Sequence, residues 1–416
     1  MTRLRPLTLV IALAGLLAVL LPAAPSEAGG REPVRFTLGG TVLDGGEQVT
    51  SLTLDARRLG AIRASSLSTA TFTVRAVGRI PAGVDPGTQP VVVYDAARTV
   101  SAATLTDADR IRLDLVSGPT VTNASTLAYL AGPARNVQLD LSYTITQTAP
   151  MTLRNGRSLT IERFRQGALV DPEVDRFATA VSRQGLNYRL STPTTGRGPR
   201  PLIIWLHGNG EGGFPGYYDN EVQLRANRGA LGPATVEAQA VFGGAYVLAP
   251  QVPDTWYNAD ANGYQAKLRA LVREVSAQNR IDQRRIYVLG ASAGGLMSVK
   301  LTAAYPELVA ALVPTCPAFY LNRTGEYTIT AAEIQRVGDV PTWFVQSRDD
   351  ATVPYDKGAA WGHELLPGSL ITLYDTVSWS GVAYPGHFSW IYTARNAPTT
   401  DAGVSLWTWV SQQRAG

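Results

Sequence analysis

The pentapeptide Gly290-Ala291-Ser292-Ala293-Gly294 carries the strongest chemical signal in this 416-residue sequence. A serine hydroxyl at neutral pH is a poor nucleophile unless a general base takes its proton and a third group orients that base. A nucleophilic serine in this motif stands on a tight, strained turn between a strand and a helix, so its neighbours must be small. Gly290, Ala291, Ala293, Gly294 and Gly295 all are. The buried-strand pattern Arg285-Ile286-Tyr287-Val288-Leu289 precedes the motif, and a helical run with Leu296, Met297 and Val299 follows it. That context separates it from a glycine-rich turn with an idle serine.

Three histidines, His207, His363 and His387, are available as base. In catalytic sites of this topology an acid and then the histidine follow the serine, on loops beyond later strands. His387, in Tyr384-Pro385-Gly386-His387-Phe388-Ser389-Trp390, has that place, with aromatic neighbours to shield the imidazole from water. His363 falls in a helical, partly exposed stretch and reads as a surface residue. The acid is expected in Gln346-Ser347-Arg348-Asp349-Asp350-Ala351-Thr352-Val353-Pro354. Asp350 is preferred over Asp349, because the Asp-x-x-Val-Pro phrase sets the carboxylate on the loop and Val353 back against the core.

Acyl transfer also needs donors aimed at the oxyanion that develops. His207-Gly208-Asn209-Gly210-Glu211-Gly212-Gly213 follows a buried strand where such a loop belongs, and the donors named are the backbone N–H groups of Asn209 and Ala293. His207 then shapes the loop. The glycine run lacks the Lys-Ser/Thr ending of a phosphate-binding loop. Trp256 and Tyr257, in Pro253-Asp254-Thr255-Trp256-Tyr257-Asn258, are candidates to wall a substrate pocket or else pack on the next helix, and Phe214, Tyr217 and Tyr218 invite the same two readings.

These residues need a scaffold, and its grammar changes along the chain. Between residue 29 and about residue 150 apolar and polar residues alternate, as in Val34-Arg35-Phe36-Thr37-Leu38 and Ile111-Arg112-Leu113-Asp114-Leu115. Turn signals such as Asp44-Gly45-Gly46 separate the runs, so half-buried antiparallel strands in a small sandwich are expected, as a spacer or a substrate-binding module. Residues 151–186 read as a connecting segment. From residue 187 to 416, apolar runs alternate with helical patterns, the sign of a doubly wound, mostly parallel sheet. Six strands are expected, at Pro201–Leu206, Ala245–Ala249, Arg285–Leu289, Ala310–Val313, Pro341–Val345 and Leu370–Tyr374. Leu268, Leu271, Val272 and Val275 predict a helix between Tyr264 and Gln278.

Composition sets the outer bounds. The formal charge of +4 comes from 37 basic and 33 acidic residues without a clustered basic run, which argues against a nucleic-acid partner. One cysteine, Cys316, allows no internal disulfide and reads as an inert thiol at a strand end. With three widely spaced histidines it also offers no recurrent metal-ligand spacing, so neither metal nor cofactor is called for. At the N-terminus Arg3 and Arg5 precede the apolar stretch Leu7–Leu21 and a small-x-small site at Ser26-Glu27-Ala28. The pattern predicts a signal peptide over residues 1–28, no stable membrane anchor and an extracellular destination.

Taken together, Leu206-His207-Gly208-Asn209-Gly210-Glu211-Gly212-Gly213, the run from Ile281 to Gly295 and Asp350-Ala351-Thr352-Val353-Pro354 resemble secreted α/β-hydrolase esterases of the poly(3-hydroxybutyrate) depolymerase and feruloyl-esterase-like group. Members with an immunoglobulin-like N-terminal domain are the nearest in arrangement. The resemblance covers about residues 187–414. It implies a Ser292, Asp350, His387 triad and hydrolysis of carboxylic esters, small-molecule or polymeric; depolymerases of this broad group often carry disulfides and this chain cannot form one, so polymer degradation is an alternative that the resemblance does not itself imply. A peptidase of the prolyl-oligopeptidase type uses the same triad and is the alternative enzyme, and a non-catalytic binding module is the alternative class. Gln346-Ser347 stands where such enzymes usually read His-Gly, and Ala293 where Met is frequent.

Overall fold

The computed structural model describes residues 32–106, 109–194 and 198–416. The expected signal peptide lies outside the described residues. In the N-terminal region a five-stranded sheet runs in the order Phe164–Val170, Val34–Leu43, Gly46–Leu54, Ile111–Leu115, Val100–Leu105. A three-stranded sheet, Val92–Arg98, Phe72–Arg79, Asp140–Gln147, faces it. Alternation along the strands sends Phe36, Leu38, Leu52 and Leu113 from one sheet, and Phe72, Val74, Tyr143 and Ile145 from the other, into one shared core. The expectation of antiparallel pairing throughout needs one correction: Val34–Leu43 pairs with Phe164–Val170 in parallel.

That pairing also changes the account of residues 151–186. Rather than linking two finished units, the stretch is divided between them. Phe164–Val170 completes the N-terminal sheet, while Ala178–Val181 becomes the edge strand of the second sheet. Between them a one-turn helix, Pro172–Asp175, starts at Asp171, whose Oδ1 accepts from the Glu173 N–H at 2.9 Å.

The second sheet has eight strands in the order Ala178–Val181, Asn187–Ser191, Tyr246–Gln251, Arg200–Leu206, Ile281–Ala291, Ala311–Thr315, Trp343–Ser347, Leu370–Tyr374. All six expected strands are present and mutually parallel, and at one edge Asn187–Ser191 runs antiparallel to both of its neighbours, Tyr246–Gln251 and Ala178–Val181. Leu202, Ile204 and Leu206 point into the core on one face, Ile203 and Trp205 into the core on the other, so this central strand is buried on both sides. The expected helix Tyr264–Gln278 buries Leu268, Leu271, Val272 and Val275.

From Arg200–Leu206 the chain turns first to the neighbour on one side, Tyr246–Gln251, and later to the neighbour on the other, Ile281–Ala291. Strand order reverses there, and the carboxyl ends of adjacent strands open a crevice. The loop after Leu206 and the turn after Ala291 both end in that crevice.

Candidate active site

Ser292 joins the strand Ile281–Ala291 to the helix Ala293–Ala304 with φ 56° and ψ −120°, a strained conformation for a side-chain-bearing residue. Two glycines make the turn possible. A Cβ on Gly294 would stand 2.0 Å from the Leu206 carbonyl oxygen, and one on Gly290 would stand 2.4 Å from that of Gly294. The strain lifts the hydroxyl out of the sheet toward the loops at its carboxyl edge.

His387 sits on a short helical turn, Gly386–Phe388, beyond the last parallel strand. Its Nε2 lies 2.9 Å from Ser292 Oγ and its Nδ1 lies 2.8 Å from Asp350 Oδ2. The Asp350 side chain is fully buried. Its Oδ1 accepts from the Thr352 and Val353 N–H groups, both at 2.9 Å, and its Oδ2 also accepts from Gln346 Nε2 at 3.1 Å. Gln346 is itself held, donating to the Val353 carbonyl at 2.7 Å and accepting from the Ala359 N–H at 2.8 Å. Asp349 is exposed and bonds Ser347 instead. Of the two carboxylates, Asp350 is the one brought to His387.

The loop after Leu206 lies against the serine, since a Cβ on Gly208 would stand 3.8 Å from Ser292 Cβ. Asn209 opens the helical turn Asn209–Glu211, and its Oδ1 accepts from Thr255 Oγ1 at 2.8 Å. Ala293 is the first residue of its helix, where no intrahelical acceptor exists for the N–H. Both backbone donors therefore belong to elements that border Ser292. His207 is buried, bonds the Gly208 carbonyl through Nδ1 at 2.6 Å and accepts the Val252 N–H through Nε2 at 3.4 Å. Burial pushes it down to about 4, so it is neutral at pH 7 and tied into the loop. His363, on the helix Ala359–Leu365, is half-buried and bonds Ser369 Oγ.

The aromatic candidates divide. Trp256 is no pocket wall: it is fully buried, stacks near His207 and donates from Nε1 to the His207 carbonyl at 3.0 Å. Tyr257 is half-buried, and burial pushes its phenol up to about 12. Tyr217 is committed to the N-terminal region, its OH accepting from the Gln138 N–H, and Tyr218 to the eight-stranded sheet, its OH donating to the Gln251 carbonyl, each at 2.7 Å. Cys316 is buried, and burial pushes its thiol up. Its Sγ, an Asp350 oxygen and a His387 ring nitrogen lie within 4.8 Å of one another, a proximity that sequence did not reveal because Cys316 follows a strand with no motif of its own.

Comparison with known proteins agrees with this architecture. A prolyl oligopeptidase family model matches residues 262–342, which include Ser292 and stop short of Asp350 and His387. NocK of Nocardia uniformis subsp. tsuyamanensis, a protein named as an esterase, is 28% identical over 217 residues, 50% of this chain and 57% of its own length. The chain thus spans little more than half of that relative. The crystal structure of a thermostable esterase superposes with a TM-score of 0.73 at 22% identity, over 91% of this chain and 99% of the other. The N-terminal β-rich region is therefore part of the shared fold. In fold the chain is an α/β-hydrolase.

Proposed function

We propose that the protein is an exported serine esterase that hydrolyses carboxylic esters through an acyl-enzyme on Ser292. The observation that carries this is the hydrogen-bonded chain from Ser292 Oγ through His387 to buried Asp350. Ser292 Oγ attacks the ester carbonyl carbon while its proton passes to His387 Nε2. The Asn209 and Ala293 N–H groups stabilise the oxyanion. Collapse breaks the bond to the alcohol oxygen, which leaves with the proton from His387. A water molecule then attacks the acyl carbon by the same route, giving up its proton to His387 and releasing the acid. Asp350 holds the imidazole with its Nδ1 proton inward and stabilises the imidazolium.

The peptidase reading is supported by the family match over residues 262–342. The same catalytic steps would then cleave an amide. Purified protein and its Ser292→Ala variant, given p-nitrophenyl esters of graded acyl length and peptide p-nitroanilides, separate the two. Ester turnover that the substitution reduces to background is the expected result. Turnover of anilides alone would replace the esterase reading, and turnover of neither would end it. Export rests on Arg3, Arg5 and the apolar Leu7–Leu21. Protein recovered from the host's medium should begin at Gly29, and a retained chain still carrying residues 1–28 would refute export.

A further inference from the structure

Glu211 is a buried carboxylate that none of these steps uses. It lies two residues beyond Asn209 on the same helical turn and is only 8% exposed. The Gly208 N–H faces its carboxylate, and Oε2 would stand 3.1 Å from a Cβ placed on Gly208. Asn136 Nδ2 donates to Oε1 at 3.2 Å. Asn136 belongs to the N-terminal region, on a hairpin formed by Leu127–Leu130 and Arg135–Gln138. Beside it Arg135 donates to the Gly213 carbonyl at 3.3 Å and to the Asp254 carbonyl at 2.9 Å, joining the loop after Leu206 to the loop that carries Thr255. The hairpin lies directly on the loop, since a Cβ on Gly210 would stand 3.0 Å from Asn136 Nδ2.

Resting on the esterase reading above, we infer that Glu211, held by Asn136 of the N-terminal hairpin, is a positioning residue that aims the Asn209 N–H at the oxyanion. Oxyanion donors stabilise a transition state in proportion to how well they point before charge develops. A three-residue turn supplies few hydrogen bonds of its own, and here the Glu211 carboxylate fixes the residue before Asn209 while Thr255 fixes the Asn209 side chain. Ionised, the carboxylate offers both oxygens as acceptors, Oε1 to Asn136 Nδ2 and Oε2 toward Gly208. When protonated, one of its oxygens becomes a donor and one bond is lost.

Charge and burial set when that happens. Burial pushes Glu211 up to about 7, against the lowering influence of Asn136, the Gly208 N–H, Arg135 and His387. Among the described residues, Arg135 and Tyr129 of the hairpin and His387 are the ionisable groups that interact with it. The loop is therefore held by an acid whose charge changes near neutral pH.

Full-length Glu211→Gln and Asn136→Ala are the test, with kcat, KM and the pH profile read on a p-nitrophenyl ester. Glu211→Gln should lower kcat roughly 10- to 100-fold, less than the loss of a whole donor, with KM within about twofold. The acid limb of its kcat profile should follow one proton, where the unaltered chain falls more steeply. Its melting temperature at pH 8 should be equal or higher, because a buried charge is gone. Asn136→Ala should shift kcat in the same direction by less. Wild-type kcat and pH profile in both variants, or a kcat loss matched by unfolding at the assay temperature, overturns the inference. If the unaltered chain shows no ester turnover that Ser292→Ala removes, the esterase reading fails first and the inference falls with it.

Discussion

Asp349 and Asp350 are neighbours in the chain, yet one is exposed and the other wholly enclosed, and the difference is made by the two residues at which the chain departs from the pattern of its resemblance. Gln346 donates to Asp350, and Ser347 bonds Asp349 away. A carboxylate held by two backbone N–H groups, an amide and an imidazole is aimed, whereas an exposed one holds no histidine in place. Asp350→Asn should therefore cost about 10⁴-fold in kcat by favouring the wrong histidine tautomer, while Asp349→Asn stays near wild type. Steady-state kinetics on both variants checks the assignment, and the reverse ranking would make Asp349 the acid. Ser292, His387 and Asp350 were legible because their motifs sit at strand ends. Glu211 stands in a glycine run whose signal lies in its backbone donors, and Asn136, 75 residues upstream, gives no local signal. A contact between regions so far apart leaves no periodicity or spacing to read.

The strand, the turn and the helix around Ser292 act as one element, and its geometry depends on the absence of side chains. Gly294 lies so close to Leu206 and His207 that a Cβ would meet their carbonyl oxygens at 2.0 and 2.5 Å. Backbone atoms of a central strand cannot swing aside as a flexible side chain can. Gly294→Ala should thus force the helix Ala293–Ala304 away from the sheet, at a cost of roughly 3 kcal/mol, and carry the Ser292 hydroxyl out of reach of His387. A thermal melt and an ester assay measure the two effects, and a variant with native stability would show that the turn has slack. The fold was readable where strands are buried on both faces, because such strands are continuous apolar runs. Ala178–Val181 is mostly exposed at an edge, and Phe164–Val170 alternates weakly, so neither announced itself. Nor does sequence distinguish parallel from antiparallel pairing for a half-buried strand that returns to Val34–Leu43.

At the scale of the whole molecule, the N-terminal region is joined to the region of the eight-stranded sheet by two charge pairs and an arginine–carbonyl bond. Glu47 meets Arg225 at 2.5 Å, Asp44 meets Arg395 at 2.8 Å, and Arg228 reaches the Val42 carbonyl at 2.7 Å. The first pair is the telling one, with side-chain exposures of 0% for Glu47 and 4% for Arg225. Burial pushes the Glu47 carboxyl up despite Arg225, whereas Glu47 and Glu221 together outweigh burial at Arg225 and hold its guanidinium above the ordinary range. Arg225→Leu removes the only cation bonded to Glu47 among the described residues and leaves the carboxylate with Thr126 alone. An uncompensated buried charge of this kind costs roughly 3–5 kcal/mol. The group escapes that cost by taking up a proton, so its folded pKa rises further above 4.5, the unfolded value. A raised acid binds its proton more tightly when folded, so its unfavourable contribution is absent below the unfolded pKa and grows as pH rises through the folded one. The variant should accordingly lose less stability at pH 5 than at pH 8, relative to wild type in urea titrations at each pH. Glu211, present in both chains, cancels from that difference. Adding Glu47→Gln, which keeps the Thr126 contact, should restore part of the pH 8 loss and remove the pH dependence. Equal deficits at the two pH values would mean that Glu47 remains charged without Arg225, and that the joint between the two regions tolerates a solvated carboxylate.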